Sequence, residues 1–371
     1  MGFRATGWSL PVSGPMNRLP RTIPLRTNAR TAGSRSSSSR RSQARLASDL
    51  LTGLLPWVML AGACAPGEAA AVTRELYELE RLAFVPPVPF KLVLGARNDS
   101  DGDCSIKRAI VMDRFEFTRR DLRHYWGDRV RVADHVEWSE ELSGYAEDRL
   151  DWPAYMSYYE AEELAFQRGM RIPFAKEWIH VAVGHKRMRY PWGSKAGRFA
   201  NTIDISVNRP VPVGTFENGR VDLFGCYDML GNVWEWVADE VRSFRTYFKD
   251  VFGEHTSVMG GGYESTLARV YLLVGRNLAF NARRVRKGTL NPAYGARMCA
   301  DAGPYLWKQA FRWGSGEEAR RRVIGVARRW AEDSVARDAL RSLLSELLER
   351  PGAPEGLFWL REGLFDPDSR S

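Results

Sequence analysis

The chain has 371 residues, 44% of them hydrophobic and 12% aromatic, so it can bury a sizeable core and is not a disordered polymer as a whole. Its net charge of +9 belongs to one end: residues 1–63 carry nine Arg and one Asp, which leaves 45 Lys and Arg against 44 Asp and Glu over 64–371. That balanced remainder lacks the excess positive charge that marks nucleic-acid binding, and no nucleic acid is expected among the partners.

In chain order, the first 45 residues are rich in Arg, Ser and Pro and include the run SRSSSSRRSQAR, a composition that predicts no packed core. The apolar segment Leu50–Ala63 has the length of a secretory signal and is short for a membrane span. It ends in LAGAC, small residues before Cys64, and so resembles a bacterial lipoprotein signal. The resemblance implies lipidation of Cys64 and an exported chain, anchored to a membrane or free in the periplasm or outside. Ala61 stands where Leu is commoner and the leader is long, with Met16 as a later start and Arg40-Arg41 as a loose twin-arginine pair. A plain cleaved signal peptide or a buried helix are the alternatives.

Residues 64–83 read as a tether followed by a short helix over Glu75–Phe84. Phe84–Gly95 alternates and breaks at prolines like an edge strand, and Asn98–Ser105 is an acidic surface turn without the downstream Glu of an EF-hand loop. Ala109–Thr118 has strand character and RRDLRHYWG follows as a helix. Tyr158–Pro173 predicts a helix stopped at Gly169, and Phe174–Gly184 a second one ended by Gly184. Asn201–Arg220 reads as loop with isolated short strands, and the chain after Asp239 as irregular to about Ala302; thirteen Trp and thirty-three Gly suit such a fold. There is no long βαβ pattern and no internal repeat. From Gly314 the composition changes. Ser315–Asp333, with Ser as N-cap and acids in its first turn, and Ser334–Gly352, with Leu340, Leu343, Leu344, Leu347 and Leu348 on one face, predict a helical hairpin. It is expected to pack on its own domain, with partner docking as the alternative.

The chemistry-bearing stretch is DMLGNVWEWVAD, Asp228–Asp239. Asp228 and Glu235 are its carboxylates, and a loop that also turned the main-chain carbonyls of Gly231 and Val233 inward would offer calcium a hard-oxygen site. The alternative is that Glu235 accepts backbone N–H bonds in a buried turn while Trp234 and Trp236 hold the loop in the core; no second carboxylate is spaced to make it a catalytic acid. Without Cys64 three cysteines remain, Cys104, Cys226 and Cys299, an odd number with no CxxC or Cys/His cluster, which argues against structural zinc. No GxSxG, HExxH, P-loop or dinucleotide fingerprint occurs. Arg283, Arg284, Arg286 and Lys287 read as a solvated face, with anion binding as the alternative.

The order of motifs says more than any one of them. RIPFAKEWIHVAVG, YPWGS, GCYDMLGNVWEWVAD, GGGY and GARMCAD follow each other along the chain, behind FKLVLG and MDRFEFTRRDLRHY. This resembles the formylglycine-generating enzyme (sulfatase-modifying factor) family over Phe84–Asp301. The resemblance implies an α+β fold: a single irregular, C-type-lectin-related domain over 84–302, followed by the helical region 303–371.

It also implies calcium held by Asp228 and Glu235 with the carbonyls of Gly231 and Val233. A further calcium site of the family would begin at Asn201, but the short loop here makes that residue a turn former. The family's oxidase uses copper held by two cysteines, and their positions fall on Ser265 and Val270, with the preceding motif serine at Gly262. A hydroxyl and an isopropyl group do not replace thiolates on copper(I), so copper is not expected. An iron-dependent branch needs an HxxxHxE helix that none of the five His residues (His124, His135, His180, His185, His255) provides. Cys299 lies in the family's closing strand, and its disulfide partner position falls on Ala165, so it is expected as a buried thiol.

The resulting expectation is a non-oxidase binding or scaffold module at the cell envelope, whose vestigial cleft around Gly262, Ser265 and Val270 meets a protein or glycan. An enzyme of other chemistry in that cleft is the alternative, and formylglycine generation itself a third.

Overall fold

The computed structural model describes residues 73–87, 106–126, 149–184, 190–243, 246–248, 253–267 and 282–365. They belong to one compact unit that runs from Ala65 to Ser371; the other unit, Met1–Cys64, lies outside the described residues, and with it the export signal and Cys64. The Asn98–Ser105 turn with Cys104, and Val270, lie outside them too. Among the described residues no helix is long and apolar enough to cross a membrane.

Helix α1 (Arg74–Glu80) starts where Thr73 Oγ1 accepts the Leu76 N–H, and leads into β1 (Leu82–Val85). β1 pairs antiparallel with β2 (Ile110–Asp113), and β2 with β9 (Cys299–Asp301). Both faces of this three-stranded sheet are covered, which is why LAFV and the IVM of β2 are continuous apolar runs rather than alternating ones. Ala83, Val85, Ile110, Met112 and Cys299 face one cluster; Leu82, Phe84, Val111 and Ala300 face the other, as the two-residue repeat of a strand requires. Helix α2 (Arg119–Trp126) follows β2, and its Asp121 caps the turn by accepting from Thr118 N and Oγ1. Helix α3 (Tyr158–Gln167) opens with a capping box between Ser157 and Glu160 and ends before Gly169, whose φ of 67° is the left-handed geometry of a helix stop. Helix α4 (Ala175–Val183) packs Trp178, Ile179 and Ala182 on the first face of the sheet.

A second sheet has the order β7-β6-β3-β8, built from β3 (Trp234–Val237), β6 (His255–Met259), β7 (Ala282–Arg286) and β8 (Tyr294–Gly295). β3 runs antiparallel to β6 and parallel to β8. A two-stranded ribbon, β4 (Glu240–Ser243) with β5 (Thr246–Phe248), pairs separately and lies against β6 and β7. The expectation of irregular chain after Asp239 is therefore corrected: strands of two to five residues are too short for a sequence period to register, and the partners of β6 and β8 on β3 lie far along the chain. Asn201–Arg220 holds two 3₁₀ turns, Ile203–Ile205 and Glu217–Gly219, where short strands were expected.

The C-terminal region comprises four helices, α5 (Ala302–Ala310), α6 (Glu317–Trp330), α7 (Ser334–Leu348) and α8 (Glu355–Phe365). The two predicted helices are α6 and α7, and α8 packs against both. The N-cap of α6 is Gly316 rather than Ser315. This region is continuous with the domain core. Trp330 stacks on Phe84 at 5.8 Å between centroids and donates its indole N–H to Leu82 O at 2.9 Å. Arg322 pairs with Glu80, and Arg329 Nη2 donates to the Glu80 carbonyl at 2.8 Å. Arg168, at the end of α3, makes two 2.7 Å bonds to Asp113 and ties that helix to β2.

Candidate functional site

The WEW run is a strand, β3, not a loop, and the consequence is alternation. Trp234 and Trp236 share one face; Trp236 meets Tyr158 and Tyr294 edge-on and donates Nε1–H to Met156 O at 2.7 Å. Glu235 points to the opposite face and is fully buried. There Trp178 of α4 donates Nε1–H to Oε2 at 2.7 Å, and Arg297 donates Nε–H to Oε2 at 3.0 Å and Nη2–H to Oε1 at 2.8 Å. Arg297 is itself 0% exposed and also donates to the carbonyls of Asp113 and Tyr227, each at 2.7 Å.

Two further carboxylates surround this pair. Glu116, in the loop after β2, accepts from Val233 N at 3.0 Å and from Asn232 Nδ2 at 2.5 Å. Burial first, then the charges of Asp228 and Glu235, hold its carboxyl well above the usual range. Asp228 has the left-handed φ of 54° and accepts from Gly214 N at 2.7 Å. Burial pushes its carboxyl up to about 6, aided by Glu235; the Gly214 N–H and Arg297 act in the other direction. Asn232 knits the loops together: its Oδ1 accepts from Asn201 Nδ2 at 2.9 Å and from Val211 N at 3.0 Å. Gly231, at φ 87°, lies so close to Asn201 O that an added Cβ would sit 2.5 Å from it, so only glycine fits. Asn201 is a buried turn residue; its Nδ2 also donates to Arg209 O at 2.9 Å, and its Oδ1 is buried without a donor.

Asp228, Gly231, Val233 and Glu235 are thus brought together with Glu116, Asn232 and Arg297, which sequence reasoning missed. The signals were present: a charged residue inside an apolar run, Glu116 within FEF and Arg297 within GARMCA. The implied calcium ligands do not fit that ion well. Both Glu235 oxygens already accept from N–H donors. Among the described residues no group of three His, Cys, Asp or Glu is placed to hold a metal. His124, His180 and His255 stand on three separate elements, α2, α4 and β6, and His180 stacks on Phe224.

The stretch expected to line a cleft follows β6. Gly260 at φ 93° and Gly261 at φ 76° turn the chain, and Gly262–Ser265 closes a turn: Ser265 N donates to Gly262 O at 2.8 Å, and Gly262 N donates to Ser265 Oγ at 3.1 Å. Ser265 O accepts from Ile203 N at 3.1 Å, and Tyr263 N donates to Asn232 O at 2.8 Å, which seats the turn on the Asp228–Glu235 loop. A side chain at 262 would lie 3.1 Å from the edge of Trp234, whose indole Nε1 is buried with no acceptor. The described cysteines, Cys226 and Cys299, are buried free thiols. Burial raises Cys226 to about 11 and Cys299 well above its ordinary value, the latter with help from Glu177. Cys299 sits in the first sheet, accepting from Arg171 Nη1 at 3.1 Å, and not on the Gly260 turn. On the edge strand, Arg283 pairs with Glu264 at 3.7 Å and Arg286 with Glu254 at 3.3 Å.

Residues 71–302 match the sulfatase-modifying factor enzyme 1-like domain family. The chain is 34% identical over 128 residues to the hercynine oxygenase of Mycobacterium tuberculosis, a match covering 32% of this chain and 29% of that one. It is 30% identical over 109 residues to the inactive C-alpha-formylglycine-generating enzyme 2 of Bos taurus (26% and 36% covered), and 34% identical over 109 residues to the formylglycine-generating enzyme of Mycobacterium tuberculosis (25% and 35%). The chain thus spans about a third of the length of these curated relatives.

Proposed function

Because this chain belongs to the sulfatase-modifying factor enzyme 1-like domain family, we propose that it is a copper-independent member whose Gly260–Ser265 cleft binds a ligand without oxidising it. The observation that carries this reading is Ser265. At a position the family resemblance gives to a copper-gripping thiolate stands a hydroxyl already engaged as acceptor for Gly262 N–H. A neutral, hydrogen-bonded hydroxyl is a poor ligand for a soft cuprous ion, and the two described thiols are buried and hard to ionise. The buried Trp234 N–H beside Gly262 adds to it, since a donor without an acceptor is satisfied when a ligand oxygen arrives. The similarity to a relative named as inactive points the same way.

In this reading the chain is exported, held at the cell envelope through a lipidated Cys64, and its partner is an envelope protein or glycan. The test is copper(I) titration of the purified chain together with oxygen uptake in the presence of a cysteine peptide. Neither stoichiometric copper binding nor oxygen uptake is expected, and either one would overturn the reading.

The relatives named hercynine oxygenase support a second reading, an enzyme of other chemistry in the same cleft. Hercynine titration by calorimetry, followed by oxygen uptake with iron(II) and a thiol, separates the two: saturable binding with uptake favours the enzyme, and no heat with no uptake favours the binding module.

A further inference from the structure

We propose that Arg297 is the resident cation of the Asp228–Glu235 loop, and that the loop is held without calcium. The guanidinium lies in a cage of oxygen: both carboxylate oxygens of Glu235, the carbonyl of Asp113 and the carbonyl of Tyr227, the residue that directly precedes Asp228. Carboxylate and main-chain carbonyl oxygen are the donors a hard divalent ion takes. Here the implied carboxylate ligand, Glu235, is held by N–H groups in the planar fork of an arginine, whose remaining N–H groups go to the carbonyls of Asp113 and Tyr227.

Occupancy makes the exclusion concrete. Oε1 of Glu235 accepts from Nε at 3.3 Å and Nη2 at 2.8 Å; Oε2 accepts from Nε at 3.0 Å and from Trp178 at 2.7 Å. Three N–H groups, the Nε–H shared between both oxygens, thus occupy most of the roughly four acceptor sites of the carboxylate and engage each of its oxygens. Calcium at Glu235 would also set two more positive charges beside a guanidinium that has no exposure to water. The other implied side-chain ligand, Asp228, is engaged by Gly214 N–H. A guanidinium keeps its proton at any working pH and cannot be removed by a chelator, so the loop keeps its cation under conditions that strip an ion from a binding site.

The experiment uses the whole chain. Its thermal melting is followed in excess EGTA and in millimolar calcium chloride, and calcium binding is measured by calorimetry on the wild type and on Glu235→Gln. Melting temperatures that agree within about 1 °C support the proposal, because an ion bound to the native state alone raises the midpoint by several degrees. Calcium binding that persists unchanged in Glu235→Gln also supports it, since the ion then does not use Glu235. Calcium binding with a raised midpoint in the wild type, abolished by Glu235→Gln, overturns it. Asp228→Ala reads the same way where Glu235→Gln does not fold.

Discussion

Arg297 and Glu235, separated by 62 residues, meet with neither exposed to solvent, the guanidinium 2.8 Å from one carboxylate oxygen and 3.0 Å from the other. Breaking such a pair from one side leaves an uncompensated buried charge, which costs about 3–5 kcal/mol. Arg297→Met is expected to lose that much in urea unfolding, and the double variant Arg297→Met, Glu235→Gln to recover part of it, because the second change removes the orphaned charge. A loss under about 1 kcal/mol in the single variant would mean that the pair does not hold the loop.

The same cluster predicts an unusual pH dependence. Burial raises Asp228 from 3.8 to about 6, and Glu116 moves in the same direction. A carboxyl that binds its proton more tightly when folded contributes stability that is present below its unfolded value and is lost as pH rises through its folded value. The contribution of Asp228 therefore falls between about pH 4 and pH 6, by roughly 2–3 kcal/mol at most. Asp228→Asn keeps an oxygen for the Gly214 N–H and removes the titration. The wild type minus Asp228→Asn stability difference, measured by chemical denaturation across that range, is expected to fall with rising pH; a flat difference would refute the shift.

The helical region is expected to behave as part of the core. Trp330 is 5% exposed, stacked on Phe84 and hydrogen-bonded to Leu82 O, so Trp330→Ala removes both the packing and the N–H that satisfies a strand carbonyl. The cost is about 3–5 kcal/mol, of the kind measured for large aromatic deletions in cores. Circular dichroism melting reads it, and limited proteolysis supplies the contrary result: release of residues 303–371 as a stable fragment from a domain that keeps its melting temperature would make the region an appendage.

The family and most helices were legible in the sequence, α5 and α8 excepted, and the charge pairing at the site was not. Helix ends announce themselves locally, by Ser157 with Glu160 and by Gly169 and Gly184, so α3 and α4 lie where expected. The motif order carried the family, which the match over 71–302 shows. The second sheet stayed hidden because β8 spans two residues and β3 four, with partners far along the chain. Trp234–Val237 reads as loop in the sequence, whereas it is a strand, which turns Glu235 away from both tryptophans toward Trp178 and Arg297. Arg297 itself sat in a motif read only as a closing strand, and nothing local marks which carboxylate a buried arginine will meet.

The copper-independent reading rests on sulfur being out of reach, and that is directly measurable. Raising a thiol from its ordinary 9.0 to about 11, as burial does to Cys226, lowers its thiolate fraction at neutral pH about a hundredfold, and the thiolate is the species that alkylates or binds copper. Burial also withholds the sulfur from the reagent, so modification waits on opening of the fold. In the native chain Cys226 and Cys299 are therefore expected to react with iodoacetamide at least about a hundredfold more slowly than in urea, where each behaves as a free thiol. Mass spectrometry of the tryptic peptides distinguishes them from Cys64 and Cys104. If either one alkylates as fast in the native state as in the unfolded one, an ionisable thiol is exposed on the folded surface, and the cleft regains a source of the sulfur its own turn lacks.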